Sequence, residues 1–578
     1  MLQFLKYTLA TLTGLVLFSF VGLVLLFIVL AAVLSSSESK EEVKPNSILC
    51  LNMEGTLLDR TEDDIYSVVF GDDDPMLGLD EILKSISNAK SDSCIKGIYL
   101  KSGLFSAGYA SIQEIRSALL DFKKSGKFVV AYSGAYSQGG YYLSSVADKI
   151  YLNPEGMLDL SGISSSAVFY KGMLQKLGVE MQVVKVGTYK SFTEQYTNTE
   201  MSQANRQQME VLTSSMWNSI LAEISQSRHI PVDSLNAAAD DFMAFQPQMR
   251  DVRLGLVDGL KYVDEVQSEL CAMLGLNADE EIDMVSPSDL ILDDADQRSG
   301  SQKVAVVYAV GEIDNGNTDG INSSELIETM NKLRKDSDVK SVVLRVNSPG
   351  GSAYGSEQIW RAIELLKAKK PVFVSMGDYA ASGGYYISCN ATKIVAEPTT
   401  ITGSIGIFSV IPNLEGLMDK VGVDYDVVKT NRYSDVPTMT RPMTDSERSM
   451  MQSFVDRGYH VFVKRCADGR SMPFDSVANI AQGRVWSGAS AKEIGLVDQL
   501  GGLDETIKMA AKEVNVDPYE VEYYPKKKSW LDNLLDMPSL GMDKVIAAFS
   551  LKKEYQVVDR VTKIDRLQAI MPYGMEIK

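Results

Sequence analysis

Tyr136-Ser-Gln-Gly-Gly-Tyr-Tyr142 and Ala380-Ala-Ser-Gly-Gly-Tyr-Tyr386 are two versions of one phrase, their Gly-Gly-Tyr-Tyr runs 244 positions apart. The same offset relates Leu177-Gly-Val-Glu-Met-Gln-Val-Val-Lys185 to Val421-Gly-Val-Asp-Tyr-Asp-Val-Val-Lys429. Asp92 with Ile95-Lys96 answers Asp336 with Val339-Lys340. Towards the ends the offset drifts to 240, where Gly255-Leu-Val-Asp258 meets Gly495-Leu-Val-Asp498. Self-similarity this extended marks a duplicated structural unit.

Each unit alternates short apolar runs with helical stretches. The first has Ile48 to Met53, Ile95 to Leu100, Phe128 to Tyr132 and Ile150 to Leu152; the second has Val304 to Val310, Val339 to Val346, Val372 to Met376 and Ile394 to Ala396. Runs of this length, rich in Val and Ile and separated by helices, predict parallel sheets with helices packed on them. The expected fold class is α/β, with tandem domains over 46–285 and 303–505. Residues 286–302 (SPSDLILDDADQRSGSQ) are polar and acidic, as a linker requires. A C-terminal extension, 506–578, carries Lys526-Lys-Lys528, which reads as a solvated basic turn, and an amphipathic stretch from Trp530 to Phe549.

Residues 1–45 read as a membrane anchor and stalk. From Tyr7 to Ser37 there is no charge, and Leu15 to Leu34 is almost wholly apolar, enough for the roughly 20 residues that span a bilayer. A cleaved signal peptide would have a shorter apolar region and a small-residue cleavage motif after it. Lys6 precedes the span and no positive excess follows it, which predicts a cytoplasmic N-terminus and an extracytoplasmic body.

The 578 residues carry a formal charge of −19, which argues against a nucleic-acid-binding surface. Cys50, Cys94, Cys271, Cys389 and Cys466 are scattered and odd in number, suggesting neither a disulfide framework nor a zinc site. No metal or cofactor is expected. With only His229 and His460, and both in helix-like surroundings, a histidine-based triad has few candidates.

The duplication exposes what each copy lacks. Ser382, ahead of Gly383-Gly384, faces Gln138 in the first copy, whereas Lys190 in Gly187-Thr-Tyr-Lys-Ser191 faces Ser434 in the second. A serine hydroxyl needs a base, and a lysine supplies one once burial lowers its pKa from about 10.4 towards neutrality. A Ser-Lys pair is an established variant of the serine-hydrolase arrangement and needs no histidine. Ser382 lies at a strand-to-helix turn, so its own amide and that of Gly383 are expected to face a developing oxyanion. The turn Asn347-Ser-Pro-Gly-Gly-Ser352 is expected to hold the substrate backbone through Gly350 and Gly351; its first-copy counterpart, Gly103 to Gly108, has lost the paired glycines. Either motif alone would be an ordinary tight turn or a solvated lysine. Their reciprocal presence and absence at matched positions is what singles them out.

Asp378-Tyr-Ala-Ala-Ser-Gly-Gly-Tyr-Tyr386, Val346-Asn-Ser-Pro-Gly-Gly-Ser352, Thr402-Gly-Ser-Ile-Gly-Ile407 and Val186-Gly-Thr-Tyr-Lys-Ser191 together resemble the long, protease IV type of signal peptide peptidase A in peptidase family S49. The resemblance spans nearly the whole chain. It implies tandem Clp protease/crotonase-like domains behind one transmembrane helix in the bacterial inner membrane, with a periplasmic body that degrades remnant signal peptides. It also implies a homotetramer whose sites form between protomers. Carried over by position, Ser382 is the nucleophile, Lys190 the general base, Gly383 an oxyanion-hole amide and Ser404 the residue that orients the lysine. Leu160 occupies the position of Ser404 in the first copy.

Two other classes remain open at this point. A crotonase-like acyl-CoA enzyme would need acid-base carboxylates near the glycine turns, and none is obviously placed. A membrane scaffold with degenerate protease domains would not need to retain both serine and lysine.

Overall fold

In the computed structural model the described residues are 43–61, 76–278, 280–291, 302–314 and 320–527, scattered positions between 4 and 21, and two short strands at 568–570 and 576–577. Most of the expected anchor core, from residue 22 on, lies outside them. Among the described residues no helix is long and apolar enough to cross a membrane. Most of the expected linker and the stretch from Trp530 to Phe549 also lie outside.

The first copy contributes strands β1 (Ser47–Leu58), β2 (Ile95–Ser106), β3 (Phe128–Tyr136) and β4 (Lys149–Leu158), paired in that order and all parallel. Met76–Gly78 and Met284–Val285 pair with β1, and Gly259–Leu260 with β4. Helices α1 (Leu79–Ser91), α2 (Tyr109–Lys123) and α3 (Gln138–Ser144) alternate with these strands. The parallel sheet is covered on both faces, as such sheets require. One face packs Leu49, Leu51, Ile98, Leu100 and Ala131 against the helices, and the other packs Ile48, Tyr99 and Val130 against Val266 and Leu270. Beyond this sheet come β5 (Ser165–Ser166), α4 (Lys171–Leu177), β6 (Glu180–Lys185) and the long α5 (Gln203–Arg228).

The second copy repeats the plan with β7 (Lys303–Val310), α6 (Ser323–Lys335), β8 (Val339–Ser348), β9 (Gly350–Ser352), α7 (Ala353–Lys367), β10 (Val372–Ala381) and α8 (Gly383–Ser388). β11 (Lys393–Ala396) and β12 (Ile401–Gly403) both pair with β10, early and late along its length. β13 (Phe408–Asn413), α9 (Glu415–Val421) and α10 (Asp445–Arg470) follow. Strands β7, β8 and β10 are parallel neighbours, with Glu520–Tyr524 on the outer edge of β7. A pair of helices fits the duplication closely: α5 and α10 each run 26 residues from a Ser202 or Thr444 N-cap whose hydroxyl accepts the amide three residues on.

The two sheets are joined by a third. In it β6 of the first copy lies antiparallel to β13 of the second, with Phe408 opposite Lys185 and Asn413 opposite Glu180. The chain's residues 568–570, β14, pair with both β9 and β13. Residues 576–577, β15, pair with β5.

A buried charge cluster also stitches the copies together. Arg345 on β8 is fully buried and meets Asp59 at 2.7 Å and Glu114 at 2.6 Å, both from the first copy. Burial works against the guanidinium charge, but these two carboxylates hold its pKa above the ordinary arginine value. Asp59 also accepts a hydrogen bond from the Asn347 side chain, whose carbonyl oxygen accepts the Tyr379 amide at 3.0 Å. Ser111 donates its hydroxyl to Asp378 at 2.6 Å, and Thr399 donates its hydroxyl to Gln113 at 2.6 Å. Both strands that lead to the site, β8 and β10, are therefore fixed from across the domain boundary.

Candidate active site

Three side chains from different elements converge: Ser382, Lys190 and Ser404, all fully buried. Ser382 stands between β10 and α8 with φ 55° and ψ −112°, backbone that side chains rarely adopt and that is costly to hold. It is held there because its amide donates to the Gly403 carbonyl at 2.8 Å and its carbonyl accepts the Tyr386 amide. Gly384 behind it is needed for contact: a Cβ there would stand 2.6 Å from the Ser348 carbonyl oxygen.

Lys190 arrives from the first copy, in the loop after β6. Its Nζ lies 2.8 Å from Ser382 Oγ, 3.0 Å from Ser404 Oγ and 3.1 Å from the Ser404 carbonyl oxygen. Burial alone drives its pKa well below the ordinary lysine value, and no carboxylate pairs with it among the described residues. A neutral amine has two N–H bonds and one lone pair. The two Ser404 acceptors take the former, which leaves the lone pair for the Ser382 proton.

The slot that holds the lysine is narrow. A Cβ on Gly483 would stand 2.6 Å from Lys190 Cβ, and one on Gly406 would stand 3.3 Å from its Cδ. The loop is pinned from below by Gln208 on α5, whose amide donates to the Tyr189 carbonyl and to Ser191 Oγ, each at 3.1 Å. From the second copy, Gln482 accepts the Tyr189 amide at 2.9 Å. Ser404 itself has a positive φ of 51°, and its amide donates to the Arg484 carbonyl at 2.6 Å. Gly406, Gly483 and Gln208 carried no sequence signal of this role. The nearest hint was the Thr402-Gly-Ser-Ile-Gly spacing.

Two expectations are corrected. The Ser382 amide does not face a free site, because Gly403 O accepts it; Gly383, at the first helical position of α8, keeps an amide with no acceptor in its own helix. The lysine and the serine meet within one chain rather than between protomers. Tandem copies joined through β6 and β13 supply in one chain what a neighbouring subunit would otherwise provide.

Gly350 and Gly351 lie on β9 with φ 108° and 150°. A side chain on Gly351 would collide with the Ile313 backbone, 2.3 Å from its carbonyl oxygen. The strand carries β14 antiparallel, Gly350 opposite Ile570 and Ser352 opposite Gln568, so its edge accepts an extended backbone, the geometry of strand addition.

In the first copy the corresponding place is filled. Gln138 accepts the amides of Ser161 and Gly162 at 3.0 and 2.8 Å and donates to Tyr109 Oη and the Gly162 carbonyl. Leu160 is buried where Ser404 would be, and Ser434, counterpart of Lys190, is exposed.

The profile of peptidase family S49 matches this chain twice, over residues 121–277 and 364–517, once in each copy. Protease 4 of Haemophilus influenzae is 34% identical over 87% of this chain and 86% of its own length. Protease 4 of Salmonella typhi is 35% identical, covering 86% and 83%. The chloroplastic serine protease SPPA of Arabidopsis thaliana is 30% identical, covering 82% and 70%.

Proposed function

Because this chain belongs to peptidase family S49 and is a serine protease, we propose that Ser382 is its nucleophile, Lys190 its general base and remnant signal peptides its substrates. The observation that carries the assignment is the lysine amine, buried without a counter-charge and 2.8 Å from the serine hydroxyl. Lys190 takes the Oγ proton as Oγ attacks the scissile carbonyl, and the Gly383 amide faces the oxyanion. The resulting ammonium gives its proton to the leaving amine. Water then attacks the acyl-Ser382 ester, losing a proton to Lys190, and Ser382 is regenerated. Ser404 holds the Lys190 nitrogen beside Ser382 throughout, and a substrate strand would pair with Gly350 and Gly351 in place of residues 568–570.

The apolar run through Leu15 to Leu34 supports a single-pass anchor in a bacterial inner membrane, N-terminus cytoplasmic and body periplasmic, where released signal peptides remain. A fully buried dyad beside a strand edge suits short extended peptides and excludes folded chains. We assign the assembly as a homotetramer in which each chain carries its own dyad. A peptidyl phosphonate should label Ser382 by mass spectrometry, with no label in Ser382→Ala and none above background in Lys190→Ala of unchanged circular dichroism. Labelling that persists in Ser382→Ala overturns the assignment. Failure to cleave synthetic signal peptides while other unfolded peptides are cut overturns the substrate.

A further inference from the structure

The scattered spacing of the five cysteines gives no sign of a pairing, yet the fold brings two of them together. Cys389 is the C-cap of α8, the helix that begins immediately after Ser382, and Cys466 lies in the last two turns of α10. They are 77 residues apart in the chain, both are fully buried thiols, and a hydrogen bond joins their side chains. Cys389 Sγ donates to the Tyr386 carbonyl at 3.2 Å, so the proton between the two sulfurs comes from Cys466.

Contacts on either side of Cys466 fix the crossing of the two helices. One turn before it, the Phe462 ring stacks on Tyr386 with 4.3 Å between centroids. Three residues after it, a Cβ on Gly469 would stand 2.4 Å from the Cys389 carbonyl oxygen and 2.8 Å from Asn390 Cα, so backbone meets backbone there. Burial holds the Cys466 thiol well above its ordinary pKa in the folded chain, while Arg470, paired with Asp498 at 2.8 Å, pulls the other way. The first copy has no such pair. Arg228 and Arg470 close α5 and α10 on equivalent carbonyls, those of Gly255 and Gly495, and counting back from them sets Ile224 against Cys466. The offset of 244 sets Ser145 against Cys389. The two thiols therefore accompany the strained serine turn and not its relaxed counterpart.

We propose that Cys389 and Cys466 are joined by a disulfide in the mature chain, a clip that ties the far end of the nucleophile's helix to α10. The inference rests on the extracytoplasmic placement proposed above, since disulfides form and persist in such a compartment. The oxidant is itself a disulfide, carried by a protein or a small molecule there. One cysteine thiolate attacks a donor sulfur and releases the donor's first thiol; the other thiolate attacks the chain's own sulfur in the mixed disulfide and releases the second. The donor leaves with both electrons and both protons. Because both thiols are buried once the chain is folded, this exchange precedes the docking of α10 on α8. A φ of 55° at Ser382 persists only where its surroundings over-determine it. A covalent tie at the other end of α8 adds to the hydrogen bonds that already do so.

The test takes full-length chain from acid-quenched membranes and alkylates its thiols in denaturant with a maleimide polymer. Three adducts per chain should form before reduction and five after it, and trypsin without reductant should release residues 370–393 joined to 466–470. Reductant should lower the wild-type melting temperature by roughly 4–10 °C, as suits a closed loop of this length, and leave Cys389→Ala with Cys466→Ala unmoved. An equal shift in that double variant overturns the proposal. Five adducts without reduction also overturn it when protease added to spheroplasts digests the body, which places the body outside the cytoplasm. When the body is protected, refolding the chain in oxidised and reduced glutathione decides. A link between 370–393 and 466–470 then upholds the pair and rejects only the placement, and its absence overturns the pair.

Discussion

The turn at Ser137-Gln138 and the turn at Ala381-Ser382 descend from one phrase and have settled in opposite ways. In the first copy Ser137 caps α3 from relaxed extended backbone, φ −67° and ψ 160°, and accepts the Gly140 amide. Gln138 then saturates its amide with four partners. In the second copy the cap residue is Ser382 itself, in strained backbone, with a hydroxyl that among the described residues meets a buried amine alone. The inert copy shows what the fold prefers when nothing has to react. The working copy is the same turn with its local hydrogen-bonding solution removed and a lysine brought in from the other copy.

The largest effect expected from erasing that difference is in Lys190→Met. Activity should fall by about 10⁴-fold or more, because the base is gone, and adding Gln138→Ser should restore nothing, since Leu160 and Ser434 supply no lysine or support there. The same substitution should stabilise the fold. Burial depresses the lysine pKa in the folded state, so the unfolded chain binds a proton that the native chain refuses. Stability therefore rises with pH across the window from the depressed folded pKa up to the ordinary lysine value, and is lower below it. Urea unfolding at pH 6 and pH 9 should show that slope in the wild type and a shallower one in Lys190→Met. Activity has the same direction: kcat/KM should increase as pH rises through the depressed lysine pKa.

Breaking the seam rather than either turn comes next. Asp59→Ala leaves Arg345 buried with one of its two carboxylates missing, which should cost about 3–5 kcal/mol in urea unfolding and also slow turnover, because Asn347 loses its anchor. An unchanged midpoint would mean that water replaces the carboxylate. Ser404→Ala makes the second copy resemble the first at the position of Leu160. A drop of roughly 10–100-fold in kcat is expected, with KM little changed, and the acid limb of the pH profile should move to lower pH as the ammonium loses an acceptor. The smallest effect separates strain from chemistry. Ser382→Gly and Ser382→Ala should be equally inactive, but the glycine variant should be more stable by about 1 kcal/mol, since only it is at ease at a φ of 55°.

Much of this was legible from residue order. Apolar runs located the strands because each sheet is buried on both faces, and the constant offset located Ser382 and Lys190 by what each copy lacks, while Ser404 came from the resemblance of its motif. Long-range electrostatics left no such trace. Asp59, Glu114 and Arg345 lie in three unrelated stretches, and nothing local marks them as partners. The fate of the Ser382 amide depends on Gly403, a strand away. Val421 to Lys429 is the most instructive case: it matches Leu177 to Lys185 at five of nine positions, yet only the first copy's Glu180–Lys185 forms a strand here. Strand propensity is expressed when a neighbouring edge is present, and within one chain only β6 has one.

Lys190 and Ser382 are 192 residues apart, and that separation has a consequence in time. At synthesis rates of about 5–20 residues per second, the base emerges roughly 10–40 s before the nucleophile. Even then the slot is unfinished, because Ser404, Gly406 and Gly483 are still to come. A growing chain therefore passes most of its synthesis as a harmless polypeptide, and its ability to cut peptides appears as one of the last events of folding.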